Sequence, residues 1–265
     1  LERLSEGYVL KDKRVCMPVL WKNENPEFPP SRDYALKRMI ANEKKMSEND
    51  PDNWAKYNTI IEGYQKQGYT EEVEPGSGRF YLAHFAVINP ERSTTKIRPV
   101  FDAKASVNGK SLNSEIFKGP CLINDLVAVL VIFRKGPIAL GGDLKEMFLQ
   151  ISLTSEDAAY HHFLHRQNPD APVKEYRWVR FPMGNTCSPA VAIAAVKIHA
   201  QNCLQTHPKA AEMALNASLI DDLLGSFYTD EEAIETYHEL VDMFSLISMN
   251  IRRFTTNSAE VLGQI

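Results

Sequence analysis

The 265-residue chain has 44% hydrophobic residues and a formal net charge of −4, apolar content sufficient to bury the core of one domain or of two packed subdomains. No apolar run approaches the roughly 20 residues that a helical membrane span needs, and the mildly acidic balance argues against a protein that binds nucleic acid over its whole surface. Charge is nevertheless segregated. Between Glu91 and Lys110 the bases Arg92, Lys96, Arg98, Lys104 and Lys110 outnumber the acids Glu91 and Asp102, whereas every ionised residue from Asp221 to Glu239 is acidic. Such a chain can hold phosphates with one segment and metal ions with another.

The N-terminal LERLSEGYVL lacks the charged-then-apolar layout of a signal peptide. Its start at Leu1 and its close at VLGQI read as a piece of something longer. Cys16, Cys121, Cys187 and Cys203 form no CxxC pair, so neither a zinc site nor a disulfide framework is expected, and a reducing, intracellular setting is. GYVLKDKRVCMPVLW alternates about a charged turn at Lys11 to Lys13 and predicts a hairpin. Ser31 is placed to cap a helix in which Tyr34, Leu36, Met39 and Ile40 recur at helical spacing. A second helix is expected over Trp54 to Lys66, ending near Gly68, and RFYLAHFAVI and TKIRPVFDA read as two strands joined by a polar turn at Asn89 to Thr94. CLINDLVAVLVIFRKG is apolar nearly all round and predicts a buried helix from Cys121 to Phe133, closed by basic residues and Gly136. A strand up to Asp143 follows, then a strand pair HHFLH and YRWVRF about the loop RQNPDAP. Ser188 before Pro189 predicts a helix start, continued to Gln205, and Thr229 with Glu232 forms a capping-box pattern ahead of another helix. The pattern is mixed α and β without regular βαβ alternation or repeats.

The chemistry concentrates in SLIDDLLGSF. A strand, a tight turn carrying Asp221 and Asp222, and a second strand would set two carboxylates at the tip of a hairpin with apolar flanks, where ionised groups need a counter-charge. Asp143 ends another apolar strand, IALGGD. With the two strands side by side, three carboxylates converge, and neither motif contains a lysine or arginine between them. Divalent cations are the natural partner. Hard oxygen ligands favour Mg²⁺, and two such ions about 3.5–4 Å apart can stabilise both oxygens of an in-line displacement at phosphorus.

Taken together these motifs resemble the reverse transcriptase domain of Bel/Pao-type retrotransposon polyproteins. LIDD stands where such enzymes carry a tyrosine, a variable residue and two aspartates; IALGGDLKEMF resembles the strand of the first catalytic aspartate. STTKIRPVFDAKAS is similar to their basic fingers segment, and YRWVRFPMGNTCSPAVA to the loop and helix between the acidic motifs. MPVLWK, YALKRMIANEKKM, GYTEEV and FTTNSAEVL extend the similarity over nearly the whole chain.

The resemblance implies an α+β, right-hand polymerase with fingers and palm subdomains, the palm an antiparallel sheet backed by the helices at Cys121 to Phe133 and Ser188 to Gln205. Residues 1–30 would be an N-terminal hairpin and linker, 31–111 and 151–187 fingers, and 112–150 and 188–265 palm, with thumb and RNase H absent or incomplete after Ile265. It implies RNA-directed DNA polymerisation, in which deoxynucleotides are added to a primer 3′-hydroxyl. Asp143 and Asp221 would ligate two Mg²⁺ ions, Mn²⁺ being the alternative, with Asp222 completing the cluster and the Leu144 carbonyl a further contributor. Lys96 and Arg98 match positions that embrace the incoming triphosphate, chemistry suited to a guanidinium. Phe148 matches the aromatic residue that rejects a 2′-hydroxyl, the group that distinguishes RNA precursors; read without the resemblance, it belongs to an apolar core stretch with Met147, Leu149 and Ile151. The implied partners are an RNA or DNA template with primer, deoxynucleoside triphosphates, and the rest of a polyprotein with protease, thumb, RNase H and integrase, in the cytoplasm or a virus-like particle and without a membrane.

Two positions depart from the pattern. Leu219 replaces an aromatic before the DD pair, and Met183 stands where many relatives have a glutamine whose amide donates to the nucleotide; a thioether cannot. These departures keep open a degenerate or domesticated fragment that binds nucleic acid without polymerising. A two-metal nuclease lacks support from the basic segment. His161 and His165 show no third metal ligand, and GGD is not a full phosphate loop.

Overall fold

The structure, a computed structural model, describes residues 2–89, 91 and 96–265. Arg92 and most of the turn expected at Asn89 to Thr94 lie outside the described residues. The chain divides into two units. One comprises Leu1–Met17, Gly119–Ile151 and Pro189–Ile265, and the other comprises Pro18–Lys118 and Ser152–Ser188. No helix among the described residues is long and apolar enough to cross a membrane.

The first unit is built on a four-stranded sheet in the order Ser218–Leu219, Asp222–Phe227, Ile138–Leu144, Ile251–Thr256, every pairing antiparallel. Two glycines let the last strand approach the central one. A Cβ on Gly142 would lie 3.0 Å from Ile251 and Phe254 side-chain atoms, and one on Gly141 3.2 Å from Thr255 Oγ1. Helices Pro208–Asn216 and Asp230–Ser245 pack on the sheet. The Thr229 side chain accepts from Glu232 N–H, three acids occupy the first turn of Asp230–Ser245, and Ala233, Leu240, Met243 and Phe244 form its buried stripe. The hairpin Val9–Lys11 with Arg14–Met17 turns at Asp12 and Lys13, both at positive φ (51° and 56°), the signature of a type I′ turn.

Two expectations for this unit need correction, the extent of the helix near Cys121 and its burial. The apolar run from Cys121 is helical only over Leu126–Ile132, where Asp125 caps the N-terminus by accepting from Ala128 N–H. That helix is not buried: Val129 faces the interior, but Leu126, Val127 and Val131 are exposed. Its apolar residues therefore did not report a core position. Helix Pro208–Asn216, one of those that back the sheet, carries four buried residues on one face and was not foreseen.

The second unit pairs a three-stranded sheet, Thr70–Val73, Lys174–Trp178 and His162–His165, with a hairpin of Ala83–Ile88 and Ile97–Asp102. Helices Arg32–Asn49 and Pro51–Lys66 pack on these strands. Pro51 opens the second helix behind Asp50, whose side chain accepts from Asn53 N–H. The core is aromatic: Phe101 meets Phe163 and Trp178 with ring centroids 5.0 and 4.8 Å apart. The buried Glu175 accepts from Arg32 Nε, Gly76 N–H and Tyr81 Oη–H. Burial pushes its carboxyl up, but these donors together hold it below the usual range.

Candidate active site

The hairpin of SLIDD turns one residue earlier than the sequence implied. Leu219 pairs with Asp222, leaving Ile220 and Asp221 as the two turn residues. Ile220 has φ 55°, a left-handed conformation that costs a β-branched residue on the order of 1–3 kcal/mol. Asp222 opens its strand and stands directly opposite Asp143 in register, and Leu144 N–H donates to the Asp221 carbonyl at 2.8 Å. The three acidic positions therefore share one end of the sheet. The Asp222 carboxyl is pushed above its ordinary value by partial burial and then by the charges of Asp221 and Asp143. Because Asp222 is exposed, the like charges are the more telling cause.

A counter-charge absent from both acidic motifs arrives from the third strand. Arg252 is in register with Asp143, and its Nε donates to Oδ2 at 3.1 Å. No motif signals this contact, because the pairing of Ile251–Thr256 with Ile138–Leu144 is non-local. Among the described residues no three His, Cys, Asp or Glu side chains are gathered closely enough to hold a metal ion. The donor set still fits a hard divalent cation, since Asp143, Asp221 and Asp222 are all carboxylates on one end of one sheet.

Phe148 follows in the turn Met147–Gln150. Met147 and Leu149 are buried on either side of it, while Phe148 is half-exposed. That exposure separates it from the core stretch in which it sits.

The remaining predicted residues belong to the second unit. Lys96 and Arg98 are exposed and flank the buried Ile97, so both side chains lie on one face of the extended chain. Neither forms an ion pair with a carboxylate among the described residues. Met183 is exposed in a loop that Asn113 clamps: Asn113 Nδ2–H donates to the Gly184 carbonyl at 2.9 Å, and Thr186 N–H donates to Asn113 Oδ1 at 2.8 Å. Gly184, at φ 128°, is required there, since a Cβ would lie 2.5 Å from the Phe101 carbonyl oxygen. Ser188 does not cap its helix as expected; its hydroxyl donates to the Pro182 carbonyl at 3.1 Å, tying down the same loop. His161 and His165 face different partners. His161 lies between the Asp157 carbonyl and Asn185, and His165 packs against the His84 and Tyr176 rings. A cavity of about 630 Å³ in the first unit is lined by Asp125, Lys135, Lys209, Met213 and Phe227 among others, and by none of the three aspartates.

The site thus lies on an antiparallel sheet with acids on two adjacent strands, in a mixed α+β chain. Among solved structures, the crystal structure of Prototype Foamy Virus Protease-Reverse Transcriptase (native) is similar, with a TM-score of 0.54 and 20% identity, covering 74% of this chain and 23% of that one. The chain thus spans less than a quarter of the foamy virus protein, and at this identity the likeness speaks for the fold. No protein-family model matches the sequence, and no curated protein does.

Proposed function

We propose that this chain is the reverse transcriptase domain of a Bel/Pao-type retrotransposon polyprotein, an RNA-directed DNA polymerase. The observation that carries the reading is the in-register placement of Asp222 opposite Asp143 with Asp221 in the adjoining turn, in a chain whose fold is like that of a reverse transcriptase. On this reading the unit with the three aspartates is the palm and the unit with Lys96 and Arg98 is the fingers.

Catalysis is then mainly positioning and charge stabilisation. Asp143 and Asp221 would hold two Mg²⁺ ions, or Mn²⁺, with Asp222 completing the negative cluster and the Leu144 carbonyl a further oxygen. When bound, these cations stabilise the attacking primer 3′-oxygen and the departing pyrophosphate. Lys96 and Arg98 bind the triphosphate of the incoming deoxynucleotide, and the loop bearing Met183 contacts the nucleotide without an amide donor. Template and primer are gripped through phosphates, so binding is salt-sensitive and independent of sequence.

The test is primer extension on an RNA template with Mg²⁺ and deoxynucleotides, using a protein that continues through the thumb and its Asp221→Asn, Asp222→Asn double variant. Extension by the parent alone is the expected result. If neither extends while both bind primer–template equally, the chain is a nucleic-acid-binding remnant of such an element. In the same assay Phe148→Ala is expected to raise ribonucleotide use relative to deoxynucleotide use by about 10- to 100-fold, the range open to a lost steric contact. An unchanged ratio would return Phe148 to a packing role.

A further inference from the structure

Arg252 sits one strand away from the acidic hairpin and makes a contact that none of the roles above uses. It stands opposite Asp143, donates from Nε to Oδ2 at 3.1 Å, and both side chains are partly exposed, at 38% and 22%. Among the described residues no other lysine or arginine forms an ion pair with Asp143, Asp221 or Asp222. The strand bearing Arg252 is irregular just beyond it: pairing with the central strand shifts register between Arg252 and Thr255, and Arg253 takes φ 53°. Bulges of this kind re-aim side chains beside functional sites. Here the bulge leaves Arg252 on Asp143 and Arg253 exposed.

A guanidinium and a divalent cation drawn to the same carboxylate repel each other, strongly so in a partly desolvated site. Two ligands that each weaken the other are linked reciprocally: whatever free energy the arginine gains from Asp143 is subtracted from the cation's affinity. We propose that Arg252 is a displaceable latch on Asp143, a positioning residue that holds this carboxylate, lowers the site's affinity for divalent cations, and swings off when a cation binds. The proposal rests on the reading of the three aspartates as a cation site. It makes Arg252 the residue that sets the cation concentration at which the site fills, and it involves no covalent step.

The experiment is Mn²⁺ titration of the intact chain, with free Mn²⁺ followed by electron paramagnetic resonance. Wild type is compared with Arg252→Gln, Arg252→Lys and the Asp221→Asn, Asp222→Asn double variant, each checked for folding by circular dichroism. Arg252→Gln is expected to bind Mn²⁺ about fivefold more tightly, the equivalent of a partly exposed ion pair worth about 1 kcal/mol. Arg252→Lys, which keeps the charge, should fall between the two and serves as the comparison if the glutamine variant does not fold. In a second readout, the Arg252 Nε–H resonance, identified by its loss in either variant, should move on addition of Mg²⁺. Equal or weaker Mn²⁺ binding by the Arg252 variants, or an unmoved resonance while the cation binds, overturns the latch and leaves the cation site standing. If the double aspartate variant binds Mn²⁺ as well as wild type, the cation site itself is refuted and the latch falls with it.

Discussion

Replacing Asp143 by asparagine is expected to lower the kcat/KM of single-nucleotide addition by at least about 10³-fold, which corresponds to about 4 kcal/mol of transition-state stabilisation. That is the scale on which a bound metal stabilises developing charge at phosphorus, and an amide in place of the carboxylate keeps the shape while removing the charge that holds it. The fold should tolerate the change. The strand's backbone pairing with Asp222–Phe227 and Ile251–Thr256 does not involve the side chain, and the amide oxygen can still accept from Arg252. What is lost is a partly exposed ion pair, worth roughly 0.2–1 kcal/mol. A thermal melt of the variant beside its kinetics separates the two effects. Activity within tenfold of wild type would show that Asp143 is not a ligand in the reaction.

Acid should destabilise the second unit steeply as the pH falls below 6.5. Burial lowers His84 and His162 to about 4 and His165 to about 3. For His84 the Leu164 carbonyl partly opposes the shift, and for His165 the neighbouring His84 adds to it. Tyr57 and Leu164 hold the His84 ring. His162 is influenced by Glu175, Arg177, His161 and Glu71, and its Nδ1 and the Nε2 of His165 have no hydrogen-bond partner among the described residues. Each folded value lies below the unfolded value near 6.5, so the unfolded chain binds more protons. The stability is fully present above pH 6.5 and is lost as pH falls toward the folded values. These three rings alone give a slope approaching 4 kcal/mol per pH unit around pH 5, and His161, lowered by burial in the same direction, adds to it, against a total of about 5–15 kcal/mol for a domain. Glu175, held low, adds its own loss only below its unfolded value near 4.5. Urea melts at pH 7.5, 6.0 and 5.0 should show stability falling steeply below 6.5, and His165→Phe should reduce the slope by about one proton. Equal stability at pH 7.5 and 5.0 would show that these rings are solvated.

Several local signals in the sequence held, although the caps expected at Ser31 and Ser188 do not form. Alternation identified the hairpin at Lys11 to Lys13 and the strand pair built on HHFLH, and capping chemistry located the helix after Thr229. The apolar flanks of IALGGD and SLIDD led to the expectation that two acidic strands lie side by side, and the register sets Asp222 opposite Asp143. Uniform apolarity misled at Cys121 to Phe133, because it cannot distinguish a buried helix from one with a single anchored residue, Val129, and an exposed apolar face. Arg252 and Asn113 were invisible for another reason. Each acts on residues far away in the chain, Asp143 and the Gly184 loop, and a pairing across such a distance leaves no period or motif to read.

Neither unit is a continuous stretch of chain, and this shapes how the molecule must assemble. Helices Arg32–Asn49 and Pro51–Lys66 can form from local contacts, but the central strand Ile138–Leu144 receives one neighbour from Asp222–Phe227 and the other from Ile251–Thr256. Contacts of such high order close slowly, because chain entropy is lost before pairing returns it. On the ribosome the strand emerges with both edges open, and the edge meant for Ile251–Thr256 stays open until nearly the last residue of this sequence has been made. An open, apolar strand edge is a template for pairing with another chain. Truncation ahead of Ile251 therefore yields a chain whose central strand keeps a bare edge, and which aggregates rather than folding into a smaller sheet.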